Sequence, residues 1–174
     1  FKLLLMRWCG QDDIVVGTPM ARRDHPQLAN LVGPLLNTLV LRTSLAGNPS
    51  FDMLLKRVRD TALEAYQHQD QPFDRLVKEL NPQRIAGRNP LFDVLINSLG
   101  DWTGGEIFHG LACEPIEAHE PVAKFALTLY LRSQPEAAEF MLNFRTDMLS
   151  QTQVTCLAEQ FEFLLAPAFP FGGM

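Results

Sequence analysis

Cysteine is scarce and unpatterned. Cys9, Cys113 and Cys156 are the three in 174 residues, far apart and odd in number. That excludes a disulfide framework and the paired spacings of a zinc site. The expectation is three reduced thiols, mostly buried, in a cytoplasmic protein. Long apolar runs are missing as well: none reaches the roughly 18–20 residues that a spanning helix needs. The residues also show no secretory signal pattern. A surplus of positive charge is lacking too. Lys and Arg number 15 against 20 Asp and Glu, for a net charge of −5. The basic clusters are short, at Arg22-Arg23 and Lys56-Arg57-x-Arg59. A nucleic-acid binder presents a concentrated basic face, so no nucleic acid and no membrane is expected as partner. There is no internal repeat and no low-complexity tract. With 47% hydrophobic and 20% charged residues, the composition is that of an ordinary globular chain.

What is present reads as alternating short strands and helices. Phe1 to Met6 has the pattern of an amphipathic helix already under way, as in a piece cut from a longer chain. Asp13 to Thr18, with Ile14-Val15-Val16, reads as a buried strand closed by Gly17 and Pro19. Leu35 to Leu45 is a second strand after Gly33-Pro34. Ser50 is placed to cap a helix carrying Phe51, Leu54, Leu55, Val58, Ala62, Ala65 and Tyr66 at helical spacing, with Asp52 complementing its dipole. That helix is expected to end near His68-Gln69-Asp70. Pro72 suits the first turn of another, Phe73 to Leu80, which Asn81-Pro82 stops. Strands follow at Leu91–Leu99, Phe125–Leu131 and Glu139–Phe144, the last two joined by a turn at Pro135-Glu136. Ser150 with Gln153 forms a capping box for a last helix striped by Val154, Leu157, Phe161, Leu164 and Leu165. The fold class is therefore α/β (α+β), a mixed sheet with helices on one face.

Three stretches go beyond generic pattern: Val32-Gly33-Pro34-Leu35-Leu36-Asn37-Thr38-Leu39-Val40-Leu41-Arg42, His68-Gln69-Asp70-Gln71-Pro72-Phe73-Asp74, and Arg84-Ile85-Ala86-Gly87-Arg88-Asn89-Pro90-Leu91-Phe92. In order and separation they resemble the last three motifs of the condensation domains of non-ribosomal peptide synthetases. Residues 10–19 and Lys124-Phe125-Ala126-Leu127-Thr128-Leu129 look like the family as well. Pro34, Leu35 and Leu36 depart from its commoner aromatic pattern, and Ala126 replaces its usual aspartate.

The resemblance implies one lobe of a chloramphenicol-acetyltransferase-like fold, in which two lobes enclose a tunnel. Residues 1–166 would be the C-terminal lobe and 167–174 a linker or frayed end. The reaction implied is amide formation between two carrier-bound thioesters. The implied partners are the N-terminal lobe of the same domain, upstream and downstream carrier proteins and an adjacent adenylation domain. No cofactor is expected to bind directly; the phosphopantetheine arms belong to the carriers. The family's key histidine lies in a His-His-x-x-x-Asp-Gly motif. His25, His68, His109 and His119 do not match it, so no catalytic residue and no metal ligand is assigned to this lobe. A homodimer through the exposed lobe face is the expected association. Two alternatives stand beside this reading: a carrier-docking module without chemistry, or the same lobe of an epimerisation, heterocyclisation or acyltransferase relative.

By resemblance Asn37, with Thr38 and Gly33, lines the tunnel; the competing reading is that Asn37 caps local backbone. His68, Gln69, Asp70, Pro72 and Phe73 read as structural, with Gln69 and Asp70 capping the second helix. Adjacent His and Asp do not face one another, so a catalytic pairing is not expected there. Arg88, Asn89 and Pro90 read as architectural, Arg88 holding loop carbonyls or a carboxylate and Asn89 leading extended into the strand. Asp93 and Asn97 share a strand face that is open to solvent or tunnel. Resemblance also places a crossover latch at about 99–112, with Trp102 and Ile107 short of cover, and a floor loop at about 17–23.

Overall fold

The computed structural model describes residues 1–23, 25–28, 30–99, 110–111, 122–133 and 138–166. The latch expected at 99–112 lies outside these, apart from Leu99, Gly110 and Leu111. So do Trp102, Ile107, His109, Cys113, His119, the Pro135-Glu136 turn and residues 167–174.

The chain opens with helix α1 (Lys2–Cys9). Gly10 ends it at φ 66, with its N–H bonded to Met6 O. Only glycine adopts that left-handed conformation freely. Strands β1 (Asp13–Ala21) and β2 (Leu36–Ser44) pair antiparallel from Asp13↔Ser44 to Ala21↔Leu36. Helices α2 (Phe51–Gln67) and α3 (Phe73–Leu80) follow, then β3 (Val94–Leu99), β4 (Leu127–Ser133), β5 (Ala138–Phe144) and α4 (Gln151–Leu165). The sheet order is β2-β1-β3-β4-β5. The two inner contacts, β1 with β3 and β3 with β4, are parallel; both outer pairs are antiparallel.

The helix starts follow local chemistry. Ser50 accepts a bond from Met53 N at 3.3 Å, and Ser150 and Gln153 form the reciprocal capping box. β1 runs four residues past Gly17 and through Pro19, further than the sequence pattern suggests. Its β3 partner meets it at Gly17↔Leu95, two residues before the proline, so the missing N–H falls where β1 acts as an edge.

Side chains alternate between the two faces of the sheet. Ile14, Val16, Leu45 and Leu54 form one buried cluster beneath α2. Leu4, Leu127, Leu129, Leu157 and Phe161 form a second beneath α4, and Val94 and Ile96 adjoin both. Burying a side chain such as Leu129 or Val16 stabilises by about 1.5–3 kcal/mol relative to exposure. α1 lies between the two, tied to α4 by Trp8 Nε1 donating to Gln160 Oε1 at 2.8 Å. Helices α1, α2 and α4 thus share one face, and α3 sits at the corner beside β2. No helix among the described residues is long and apolar enough to cross a membrane.

Cys9 and Cys156 are free and exposed, contrary to the expectation of buried thiols. Cys9 is the last residue of α1, and Val154, Leu157 and Phe161 present the buried stripe of α4, leaving Cys156 off it.

Candidate functional site

The three motif stretches are far apart in sequence and meet at one corner of the sheet. Asn37 is the joint between the first two. Its Nδ2 donates to Gln69 O and to Gln71 O, both at 2.8 Å, and its Oδ1 accepts from Phe73 N at 3.2 Å. One half-buried amide thereby satisfies two turn carbonyls and the first free N–H of α3. An amide suits this task because it carries donors and an acceptor on one planar group. Asn37 does cap backbone, and that backbone is more than 30 residues away rather than local.

Gln69 and Asp70 do not cap α3. Pro72 occupies the cap position, one residue earlier than expected, and offers no side-chain bond. Its φ of −63° and ψ of 138° aim the chain so that Asn37 reaches Phe73 N. Asp70 instead pairs with Arg22 at 2.9 Å on the surface. His68 ends α2 through its backbone N–H, and its ring is exposed.

The third stretch enters through Phe92, which is buried. Its ring meets Phe73 edge-on at 5.9 Å and stacks on Phe125 at 5.3 Å. Phe92 also lies over Gly17: a Cβ there would sit 2.2 Å from the ring. Val16 points to the α2 side, so Gly17 and this aromatic cluster are on the opposite face. Each of the five family-like stretches therefore supplies one part: Gly17, Asn37, Phe73, Phe92 and Phe125.

The approach to Phe92 is shaped by Asn89, whose Oδ1 accepts from Leu91 N at 3.0 Å and Phe92 N at 3.3 Å. This side-chain turn delays the strand, so β3 begins at Val94 rather than Leu91. Arg88 pairs with Asp93 at 3.5 Å, a carboxylate as anticipated, and Pro90 is half-buried between them. Arg145 escaped the sequence reading. It donates to Gly87 O and holds Asp147 through two bonds of 3.0 and 2.5 Å. The Arg145 fork keeps the Asp147 carboxyl below the usual carboxylate range.

Asn37, Thr38 and Gly33 do not form one continuous surface. Asn37 pairs with Met20 and points to the α2 side; Thr38 pairs with Pro19 and points to the other. Gly33 lies in an exposed loop, where its carbonyl accepts from Arg23 at 3.1 Å. Arg23 also binds Leu28 O and Leu31 O and so organises that loop.

Little at this corner resembles acid–base machinery. His25 Nδ1 accepts from Gln27 N at 3.3 Å, a local turn contact. No group of three or more His, Cys, Asp or Glu among the described residues is placed to hold a metal ion. What the corner does is hold β2, the 68–73 turn and the 84–92 loop in fixed relation.

Comparison with known proteins gives this corner a context. The sequence matches the Condensation domain family over residues 1–169. It is 37% identical over 161 residues to tyrocidine synthase 3 of Brevibacillus parabrevis, covering 92% of this chain and 2% of that protein. Surfactin synthase subunit 1 of Bacillus subtilis (strain 168) is 36% identical over 168 residues, covering 97% of this chain and 5% of that one. Among solved structures, the condensation domain from Monacolin K polyketide synthase MokA superposes with a TM-score of 0.79 at 18% identity, over 92% of this chain and 37% of that one. The starter condensation domain of rhizomide synthetase RzmA superposes with a TM-score of 0.72 at 19% identity, over 97% and 40%. The fold is thus chloramphenicol-acetyltransferase-like, and the chain spans well under half the length of these relatives.

Proposed function

The chain belongs to the condensation-domain family, and we propose that it serves as the C-terminal lobe of such a domain, residues 1–166, supplying one wall of the substrate tunnel. The observation that carries this reading is the convergence of all five family-like stretches on the Asn37–Phe73–Phe92 corner. Residues that serve only a generic core need not come from the family's motifs. Here Asn37 fixes the turn and Phe92 fixes the loop.

The reaction served is aminolysis of a thioester. The amine nitrogen of one carrier-bound aminoacyl group attacks the carbonyl carbon of the other carrier's thioester. A C–N bond forms, the C–S bond breaks, and the thiol leaves with the proton the amine gives up. Both substrates arrive on phosphopantetheine arms, so rate is gained by holding amine and carbonyl at attack distance. A wall braced by Asn37 and the Phe92 stack is suited to that positioning. Proton transfer and oxyanion stabilisation would fall to the N-terminal lobe, where the family keeps its His-His-x-x-x-Asp-Gly motif. The partners in this reading are that lobe, the upstream and downstream carrier proteins and an adjacent adenylation domain, in the cytoplasm.

The test is reconstitution. This chain is mixed with two loaded carrier proteins, with and without a separately expressed N-terminal lobe, and amide product is followed by mass spectrometry. Product is expected only when both lobes are present. Turnover by this chain alone overturns the assignment of the chemistry to the other lobe.

A further inference from the structure

Residues 83–88 have no burial to hold them: each is exposed. The position of this loop must come from polar bonds. Within it, Arg88 N donates to Ile85 O at 3.1 Å, a contact that shapes the turn without attaching it to the sheet. Attachment comes from Arg145, the residue that follows β5. Its Nη1 donates to Gly87 O, while Nε and Nη2 take the two oxygens of Asp147. A guanidinium serves all three acceptors at once because its donors are fixed in one planar fork. Gly87 supplies the other half of the fit. Its φ of 75 is a left-handed value that suits glycine, and the place a Cβ would take lies 3.7 Å from Arg145 Nη2.

The main chain of Arg145 acts on the neighbouring stretch. Its N–H donates to Ala126 O at 3.1 Å, next to Phe125. Leu127 N in turn donates to Asp93 O at 3.4 Å, next to Phe92. One residue therefore anchors both supports of the Phe92–Phe125 stack, the loop through its side chain and the start of β4 through its backbone. Its ion pair differs from an ordinary surface pair, which contributes little. The Arg145 side chain is 25% exposed, against 67% for Arg75 in its pair with Glu79. The Asp147 bonds, with the charges of Asp147 and Asp93 behind them, outweigh partial burial and raise the Arg145 pKa above its usual value.

We propose that Arg145 is a positioning residue for the tunnel wall: it pins the 83–88 loop to the end of β5 and thereby sets the seat of Phe92. The proposal rests on the reading of this chain as one wall of the substrate tunnel. Arg145 lies outside all five family-like stretches, so the corner that they build depends on a residue that none of them contains. Asp147 aims the guanidinium, and Gly87 receives it.

The test compares the parent chain with Arg145→Ala and with Arg75→Ala, which removes an arginine ion pair elsewhere. Limited trypsin digestion, well below each thermal midpoint, is followed by mass spectrometry at the bonds after Arg84 and Arg88. The bond after Arg23, in another exposed loop, is the internal reference. Arg145→Ala is expected to speed cleavage after Arg84 and Arg88 roughly tenfold relative to that reference. Arg75→Ala is expected to leave the ratio unchanged. In the two-lobe reconstitution Arg145→Ala should lower kcat by about tenfold or more. Millimolar guanidinium should restore much of that rate, because the free ion fills the socket between Asp147 and Gly87; a chain that is merely less stable gains nothing from a denaturant. Unchanged cleavage in Arg145→Ala overturns the proposal. So does a slow Arg145→Ala chain that guanidinium does not revive. If Arg145→Ala fails to fold, Arg145→Lys, which keeps the charge without the fork, is read for the same ratio; a rise is expected, and no change overturns the proposal. A parent pair that makes no amide overturns the tunnel reading instead, and the cleavage ratio still decides whether Arg145 holds the loop.

Discussion

On one face of the sheet Phe92 lies so close to Gly17 that an added methyl would sit 2.2 Å from its ring. On the other face α2 and α4 stand apart around about 730 Å³ of apolar space. The first region is closed by contacts made wholly within the chain: two bonds from Asn89 and a run of three aromatic rings, tied through Phe73 to the three bonds of Asn37, whose side chain lies on the α2 side. The second is a seam with one helix entering its end. The difference teaches where this fold tolerates change. A tight corner responds to one methyl in either direction, whereas exposed positions such as Leu55 along the groove tolerate substitution.

The contrast is most strongly tested by Phe92→Ala. Removing a buried ring flanked by Phe73 and Phe125 should destabilise the chain by about 3–5 kcal/mol, read from denaturant midpoints. Gly17→Ala should cost about 1–3 kcal/mol through overpacking against the same ring. Made in the Phe92→Ala background, it should cost much less, because the ring it strikes is gone. Additive values for the pair would show that the two do not touch. By contrast, Leu55→Met in the groove should change stability by less than about 0.5 kcal/mol, as an exposed site does.

Next in size is Asn37→Ala, at about 2 kcal/mol, because it strands two turn carbonyls and the Phe73 N–H. Asp70→Ala removes only an exposed ion pair with Arg22 and should cost under about 1 kcal/mol. The reverse order would restore Asp70 as the cap of α3.

A separate, pH-dependent effect concerns the groove end. Burial lowers the Lys2 pKa from 10.5 to about 8. Between those values the unfolded chain holds the proton and the folded chain has released it, so stability rises as pH increases from about 8 toward 10.5. Below pH 8 both states are protonated and the slope from Lys2 vanishes. Lys2→Met should flatten the alkaline rise in thermal midpoint; an unchanged slope would place the titration elsewhere.

Local chemistry was legible in the sequence. Ser50, Ser150 with Gln153, and the stripe of α4 mark their helices because a cap or an apolar repeat acts within one or two turns. The strands were legible from β-branched runs, though β1 outran Gly17 and Pro19. The candidate site was legible as motifs and not as a joint. The bonds from Asn37 span 32 to 36 residues, and nothing near Gln69 or Asp70 signals that the cap comes from β2. Phe73, Phe92 and Phe125 likewise carry no local sign that their rings meet. Arg145 went unnoticed for the same reason: Gly87, which it binds, is 58 residues away.

The most direct measurement of the central claim uses the two-lobe reconstitution with Asn37→Ala and Asp70→Ala in parallel, each held well below its thermal midpoint. If Asn37 braces the wall that aligns amine and thioester, its loss should lower kcat by tenfold or more, up to about 10²-fold, while Asp70→Ala stays near the parent rate. Full turnover by a folded Asn37→Ala chain would contradict the account.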